Sequence, residues 1–141
     1  MASEIHWGYR YGPSRVQTMK MTGDNTSIKI GDLVAVINGC VVPATSGDQP
    51  IGVALANVEN AAGSPDGVTP IPIETSSAAI YEYPIDSSTV TQDLVGSKRE
   101  LATAQSINHS AGMSGCAFIW AINVARNTVE VSFTFENAFT V

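Results

Sequence analysis

Hydrophobic and polar residues alternate most regularly near the C-terminus, between positions 128 and 135. The apolar positions of this stretch are Val129, Val131, Phe133 and Phe135. A period of two is typical of a strand with one buried and one polar face. A mainly apolar segment over residues 116–124 precedes the stretch, and residues 125–127 are few enough for a tight turn. We therefore predict an antiparallel hairpin here.

A second hairpin is indicated by an Asn-Gly pair between two apolar runs. Residues 33–37 and 40–42 flank Asn38 and Gly39. Asn-Gly readily adopts the positive φ angles of a type I′ turn, which joins paired strands. Because the flanking runs are apolar throughout, we expect both faces of this hairpin to be covered.

The middle of the chain contains shorter apolar segments. Strands are predicted over residues 51–55 and 78–83. Residues 68–73 include Pro70 and Pro72, which cannot donate to a ladder. We therefore predict an edge strand or an extended segment there, with the missing donors facing outward.

One helical turn is the only helix that the pattern predicts. It covers residues 92–95, with a polar stretch at 86–89 as its N-terminal cap and Gly96 in the C′ position. Val, Ile and Thr total 38 residues against 4 Leu, a balance that favours strands. We predict an all-β fold, an antiparallel β-barrel or sandwich of about six to nine short strands with at most one short helix and an extended N-terminal arm.

The N-terminal arm is predicted at residues 1–16, before a single β-barrel-like domain at 17–141. Trp7, Tyr9 and Tyr11 occupy alternate positions, so an extended backbone would place their rings on one face and Arg10 on the other. Such an arm could order on a partner or on a neighbouring subunit. The alternative is a strand that packs its rings into the domain's own core. The candidate capsid or subunit interface is Trp7, Tyr9, Arg10, Tyr11 and Arg15.

Charge and composition exclude several partners. The chain has 7 basic and 13 acidic residues, a net charge of −6, which argues against nucleic-acid binding. Its longest apolar run has 7 residues, at 116–122, against roughly 20 for a membrane helix. Its first residues lack the features of a secretory signal, so we expect cytoplasmic synthesis. Cys40 and Cys116 are expected to be buried, reduced thiols.

Candidate reactive groups form no recognisable constellation. His6 and His109 do not lie in a metal-ligand spacing. Residues 112–116 superficially resemble a nucleophile elbow, but Cys116 stands where G-x-S-x-G needs glycine. We predict no catalytic residue, cofactor or metal site, and hence no enzyme. Carboxylate pairs stay open as alternatives: Glu74 with Glu82, and Glu130 with Glu136.

The order of several segments resembles that of the head decoration, or cement, proteins of tailed bacteriophages. The likeness covers residues 28–135 and lies in segments 29–34, 50–54, 90–96, 99–101, 119–124 and 128–135. It implies a protein on the outer surface of the virion, bound to the major capsid protein as a homotrimer, that reinforces the contacts between capsomers. The host bacterial cytoplasm would be its place of synthesis. No catalytic residues accompany the resemblance.

Two other classes of function remain. A carbohydrate-binding or adhesive β-module would expose Trp7, Tyr9, Tyr11 or Trp120 as a stacking platform, although Trp120 lies in an apolar run and is expected in the core. A small trimeric β-barrel hydrolase would need convergent carboxylates or a metal ion at a cleft between subunits.

Overall fold

The computed structural model describes residues 7–46, 48–86, 88–109 and 115–135, which form fourteen strands and one 3₁₀ turn at Gln92–Leu94. The strands in chain order are β1 Gly8–Tyr11, β2 Val16–Lys20, β3 Ser27–Ile28, β4 Leu33–Ile37, β5 Cys40–Pro43, β6 Gly52–Ala54, β7 Val58–Glu59, β8 Pro70–Glu74, β9 Ile80–Pro84, β10 Lys98–Arg99, β11 Leu101–Thr103, β12 Ser106–Ile107, β13 Ala117–Asn123 and β14 Thr128–Phe133. The structure has more strands than the six to nine expected, because it includes several paired segments that are only two residues long.

Two five-stranded antiparallel sheets dominate the architecture. The first has the order β1-β9-β14-β13-β10 and the second the order β2-β8-β6-β4-β5. Two-stranded sheets of β11-β12 and β3-β7 complete it. The all-β, antiparallel prediction is confirmed. Of its two forms the sandwich agrees with the structure, since the described strands form no closed barrel.

The second sheet is covered on both faces. Leu33 and Ala35 belong to the larger core cluster, which also contains Val131 and Tyr81 from the first sheet. Val34, between them in the chain, belongs to a smaller cluster on the opposite face. Side chains alternate between the faces of a strand, so one apolar strand supplies both cores. This explains why β4 is continuously apolar.

The Asn-Gly hairpin is confirmed, and its tip differs from the expectation. β4 pairs with β5, and Asn38 and Gly39 have φ angles of 53° and 81°. Val36 and Ile37 at the end of β4 are exposed, by 37% and 58%. The hairpin therefore extends beyond the two cores that cover its base.

The proline-containing strand is internal, which corrects the prediction of an edge. β8 lies between β2 and β6. Leu55 N donates to Pro72 O at 3.0 Å, so Pro72 directs its backbone toward β6, and Pro70 faces the same way. β6 pairs only with Ile73 and Glu74. The missing donors therefore interrupt no bond of the ladder.

The C-terminal hairpin of β13 and β14 is confirmed, and all four predicted apolar positions are buried. Thr128 on the opposite face is also fully buried. The single helical turn is found as 3₁₀, with Gly96 after it at a φ of 88°. Its N-cap is Thr91 without a side-chain cap, so the predicted capping by residues 86–89 is wrong.

Candidate interaction surfaces

The N-terminal segment runs along both sheets. β1 is an outermost strand of the first sheet and pairs with β9, whereas β2 is an outermost strand of the second and pairs with β8. Residues 1–6 of the predicted arm lie outside the described residues. The described part, from residue 7, corresponds to the alternative in which the segment joins the domain as a strand.

Two buried carboxylates hold this segment in place. Glu82 accepts a hydrogen bond from Arg10 Nε at 2.9 Å, and Glu74 accepts from Ser14 Oγ at 2.5 Å and from Arg15 N at 2.6 Å. Arg15 O in turn accepts from Thr75 N at 2.8 Å. Because each carboxylate is nearly fully buried, the hydrogen bonds that it accepts replace the water that it loses on burial.

A β-bulge at Arg10 separates the aromatic residues that alternate in sequence. Tyr9 pairs with Tyr81 and Tyr11 with Ile80, so Arg10 is the extra residue. The Tyr9 ring packs edge-on against buried Tyr81, with 6.1 Å between centroids. Tyr11 lies on the opposite face and donates its hydroxyl to Glu130 Oε1 at 3.1 Å. The three rings therefore do not share a face, and Tyr11 shares that of Arg10.

Trp7 lies between core and surface. Its ring packs partly against the larger core cluster, and the Arg126 guanidinium carbon lies 5.5 Å from its centroid. Gly31 makes this position possible, since a Cβ there would lie 2.3 Å from Trp7 O. Of the five predicted interface residues, Tyr11 and Arg15 are exposed, whereas Trp7, Tyr9 and Arg10 are partly buried.

Glu82 is the charged centre of the first sheet's outer face. Arg126 Nη1 approaches its Oε1 at 3.4 Å, and Thr128 Oγ1 donates to its Oε2 at 2.5 Å. Burial raises the pKa of Glu82, but hydrogen bonds from Thr128 and Arg10 and the charges of Arg10 and Arg126 lower it more, so its pKa lies below the usual value. Glu82 is therefore ionised at neutral pH and binds the N-terminal segment as an anion.

Trp120 is exposed, which corrects the expectation that it lies in the core. Ile119 pairs with Val131 and Ala121 with Glu130, so a second β-bulge makes Trp120 the extra residue. Its side chain reaches the outer face, where Nε1 donates to Ser132 Oγ at 2.8 Å, and the residue is 56% exposed. Trp120 alternates with inward Ile119, and in a run that is apolar throughout the sequence does not show which residues face outward.

The candidate reactive groups of the sequence can be located only in part. The described residues contain no group of three or more potential metal ligands. Glu74 and Glu82 lie in different sheets, and each is bound by the donors described above. His109 O accepts from Arg99 Nη1 at 2.6 Å. Residues 112–114 of the possible nucleophile elbow, together with His6 and Glu136, lie outside the described residues.

Burial determines the protonation of Tyr81, Tyr83 and Cys116. Tyr83 donates to Gly31 O and Tyr81 to Ser76 O, each at 2.7 Å. Burial raises the pKa of both tyrosines well above the usual value, and it raises that of Cys116 to about 12. Cys40 and Cys116 are both reduced and partly buried.

Within the described ranges, no helix has the length and apolar character needed to cross a membrane.

Comparison with known proteins assigns no family. No family model matches the sequence, and no curated protein is significantly similar to it. The fold and the two outer surfaces described above, at the N-terminal segment and around Trp120, are therefore the starting point for function.

Proposed function

We propose that this protein is a structural virion protein that binds the outer surface of an assembled phage capsid and reinforces the contacts between capsomers. The observation that carries the proposal is the open pair of sheet edges along the N-terminal segment. β1 and β2 each end the strand order of a sheet, and within the described residues no strand pairs with their outer sides, although Met21, directly after β2, forms an isolated bridge with Val41 of β5. The resemblance to decoration proteins supplies the identity of the partner.

The exposed side chains of this edge suit a protein partner. Tyr11 is 56% exposed and Val16 is 53% exposed, with exposed Arg15 next to Val16. Tyr and Arg are among the residue types that anchor interfaces, and an exposed Val adds apolar area that a partner can bury. An unpaired strand edge also offers backbone donors and acceptors to an incoming strand. The partner we propose is the major capsid protein, contacted by homotrimers of this chain.

Reinforcement follows from preferential binding. A protein that binds the assembled lattice more tightly than free capsid subunits stabilises the lattice by linkage. Many copies, each contacting more than one subunit, add their effects even when a single contact is weak. No catalytic step is needed for this role.

The test compares particles that lack this protein with the same particles after its addition. Wild-type protein should co-sediment with them and raise the temperature at which they release DNA. A Tyr11→Ser/Val16→Lys double variant should bind at least about tenfold more weakly, because it removes an aromatic anchor and an exposed apolar side chain and places a charge on the edge. Val68→Lys is the matched control, since Val68 is 58% exposed and lies outside this edge.

Two results would contradict the proposal at different levels. If the double variant binds as wild type does, the N-terminal edge is not the attachment surface. If wild-type protein neither binds nor protects the particles, the reinforcing role is wrong. Circular dichroism of each variant confirms that a loss of binding does not come from unfolding. The solution mass tests the homotrimer separately.

A further inference from the structure

We infer that the outer face around Trp120 is a binding site for a neutral carbohydrate, with the Trp120 ring as a stacking platform for a pyranose. The inference goes beyond capsid attachment and does not depend on it. Trp120 is the most exposed aromatic residue of β13, at 56%, and lies on a paired strand rather than a loop. A large ring that remains exposed on a rigid sheet is available to a ligand without a change of fold.

The ring is fixed before any ligand arrives. Its Nε1 donates to Ser132 Oγ at 2.8 Å, on the neighbouring strand. The Phe118 ring packs edge-on against it, with 4.7 Å between centroids and 67° between planes. Contacts on two sides restrict rotation of the indole, so a ligand does not have to order it. The polar end of the indole is already satisfied, and its apolar surface is the part available for stacking.

Polar groups beside the ring favour a sugar over an apolar protein surface. Glu130 precedes Ser132 by two residues on β14 and therefore shares its face. Tyr11 donates to Glu130 Oε1, and the carboxylate has further acceptor sites. An aromatic surface bordered by a carboxylate and a hydroxyl matches a pyranose, which presents C–H groups and hydroxyls together.

Charge indicates a neutral ligand. Arg10 and Arg126 both contact Glu82, whereas exposed Lys98 on β10 lies opposite Phe118 and is the basic residue beside the platform. Glu130 is the acidic residue adjacent to the platform, and the chain as a whole carries a net charge of −6. Lys98 and Glu130 offset each other beside the ring, so a sialylated or sulfated glycan would find no net positive charge there and would be repelled by the net charge of the chain. A neutral hexose oligosaccharide would not.

The platform is separate from the proposed capsid-binding edge. Trp120 lies on β13 and Tyr11 on β1, with β14 and β9 between them. Three strand spacings correspond to about 14 Å. Tyr11 also bonds Glu130 beside the platform, so the sugar-binding test uses variants of Trp120, which leave the residues of the capsid-binding edge in place.

The experiment screens the purified protein against immobilised neutral oligosaccharides with gluco, galacto and manno configurations, with sialylated and sulfated glycans as the anionic arm. The best neutral sugar is then titrated while the indole N–H resonances are observed by NMR. We expect the Trp120 resonance, assigned by its loss in Trp120→Phe, to shift. Trp120→Ala should weaken binding about tenfold or more, and Trp120→Phe should weaken it less, because a smaller ring remains.

Val124→Ala is the matched control, since Val124 is 71% exposed on the turn that follows β13. It should bind as wild type does. The inference is overturned if no neutral sugar binds at millimolar concentration, if anionic glycans bind better, or if Trp120→Ala binds equally well. If Trp120→Ala does not fold, the wild-type NMR titration decides: a sugar that leaves the Trp120 resonance in place overturns the inference as well.

Discussion

Replacing Arg10 by Met tests whether an ion pair, rather than packing, holds the N-terminal segment to the first sheet. Met keeps an unbranched apolar stem and removes the guanidinium that lies 2.9 Å from Glu82 Oε1. Two unit charges at this separation attract by about 6 kcal/mol at an effective dielectric constant of about 20. Desolvation offsets much of this attraction.

Two features of the site reduce the loss further. The Arg10 side chain is 28% exposed, and Arg126 at 3.4 Å still faces Glu82 after the substitution. Removing one partner of a fully buried pair costs about 3–5 kcal/mol. We therefore expect Arg10→Met to lower the free energy of unfolding by about 1–2 kcal/mol at pH 7. This change in the free energy of unfolding can be measured by urea denaturation, with the fluorescence of Trp7 and Trp120 as the signal.

The pH dependence distinguishes charge from packing. The pKa of Glu82 is lowered in the folded protein from a usual value of 4.5. Its contribution to stability is therefore present above that value and is lost as pH falls through the folded pKa. The difference between wild type and Arg10→Met should shrink between pH 5 and the lowest pH at which both still fold. A difference that stays constant over this range would refute the ion-pair explanation.

Arg15→Met provides the matched control for the same segment. Arg15 is exposed, and its contacts with Glu74 and Thr75 are made by its backbone. The substitution leaves those contacts in place, so the free energy of unfolding should change by less than about 0.5 kcal/mol. A larger loss would show that any Arg→Met substitution here disturbs the fold.

Three further predictions follow from packing and burial. Gly52→Ala should lower the free energy of unfolding, measured in urea, by about 2–3 kcal/mol, because the new Cβ would lie 2.5 Å from Glu74 O. In the control Gly39→Ala the new Cβ meets nothing within 4 Å. That substitution should cost only about 1–2 kcal/mol, for the positive φ of Gly39. Phe133→Ala should cost about 3–5 kcal/mol, because Phe133 is 2% exposed and contacts three other rings; a loss below about 1 kcal/mol would contradict its place in the core. The pKa of Cys116, about 12, means that iodoacetamide at pH 8 should alkylate it much more slowly in the folded than in the urea-unfolded protein, as peptide mass spectrometry can measure.

The two hairpins could be predicted because their signals are local. Asn38 and Gly39 specify a turn by their own backbone preferences, and the alternation in β14 follows from burial of one face. The position of β8 could not be predicted in this way. Whether a strand is internal depends on its neighbours in the sheet, and β6 and β2 lie 16 or more residues away in sequence. The proline rule applies to each side of a strand rather than to the whole strand.

The directions of the surface aromatic residues were harder to predict than the hairpins. A period of two assigns Tyr9 and Tyr11 to one face, but the extra residue Arg10 inverts the assignment beyond it. Trp120 faces outward for a different reason, since it alternates with inward Ile119, and the bulge redirects only the residues from Ala121 onward. In a run of apolar residues this alternation leaves no sign in the sequence. The two aromatics are therefore misassigned for different reasons, Tyr11 by a bulge and Trp120 by the uniform apolar character of its strand.

The bulges also explain how the first sheet keeps a packed core on one face and presents aromatic side chains on the other. A regular β1 would direct Tyr9 and Tyr11 to the same side, and both rings would then be either in the core or in solvent. With Arg10 as the extra residue, Tyr9 packs on Tyr81 while Arg10 and Tyr11 reach Glu82 and Glu130 on the outer face. In β13 the extra residue leaves Ile119 and Ile122 opposite Val131 and Val129, so the core ladder is kept while Trp120 turns outward. A single inserted position in each strand thus adds an outward side chain without removing an inward one, which is why the exposed aromatics do not weaken the core beneath them.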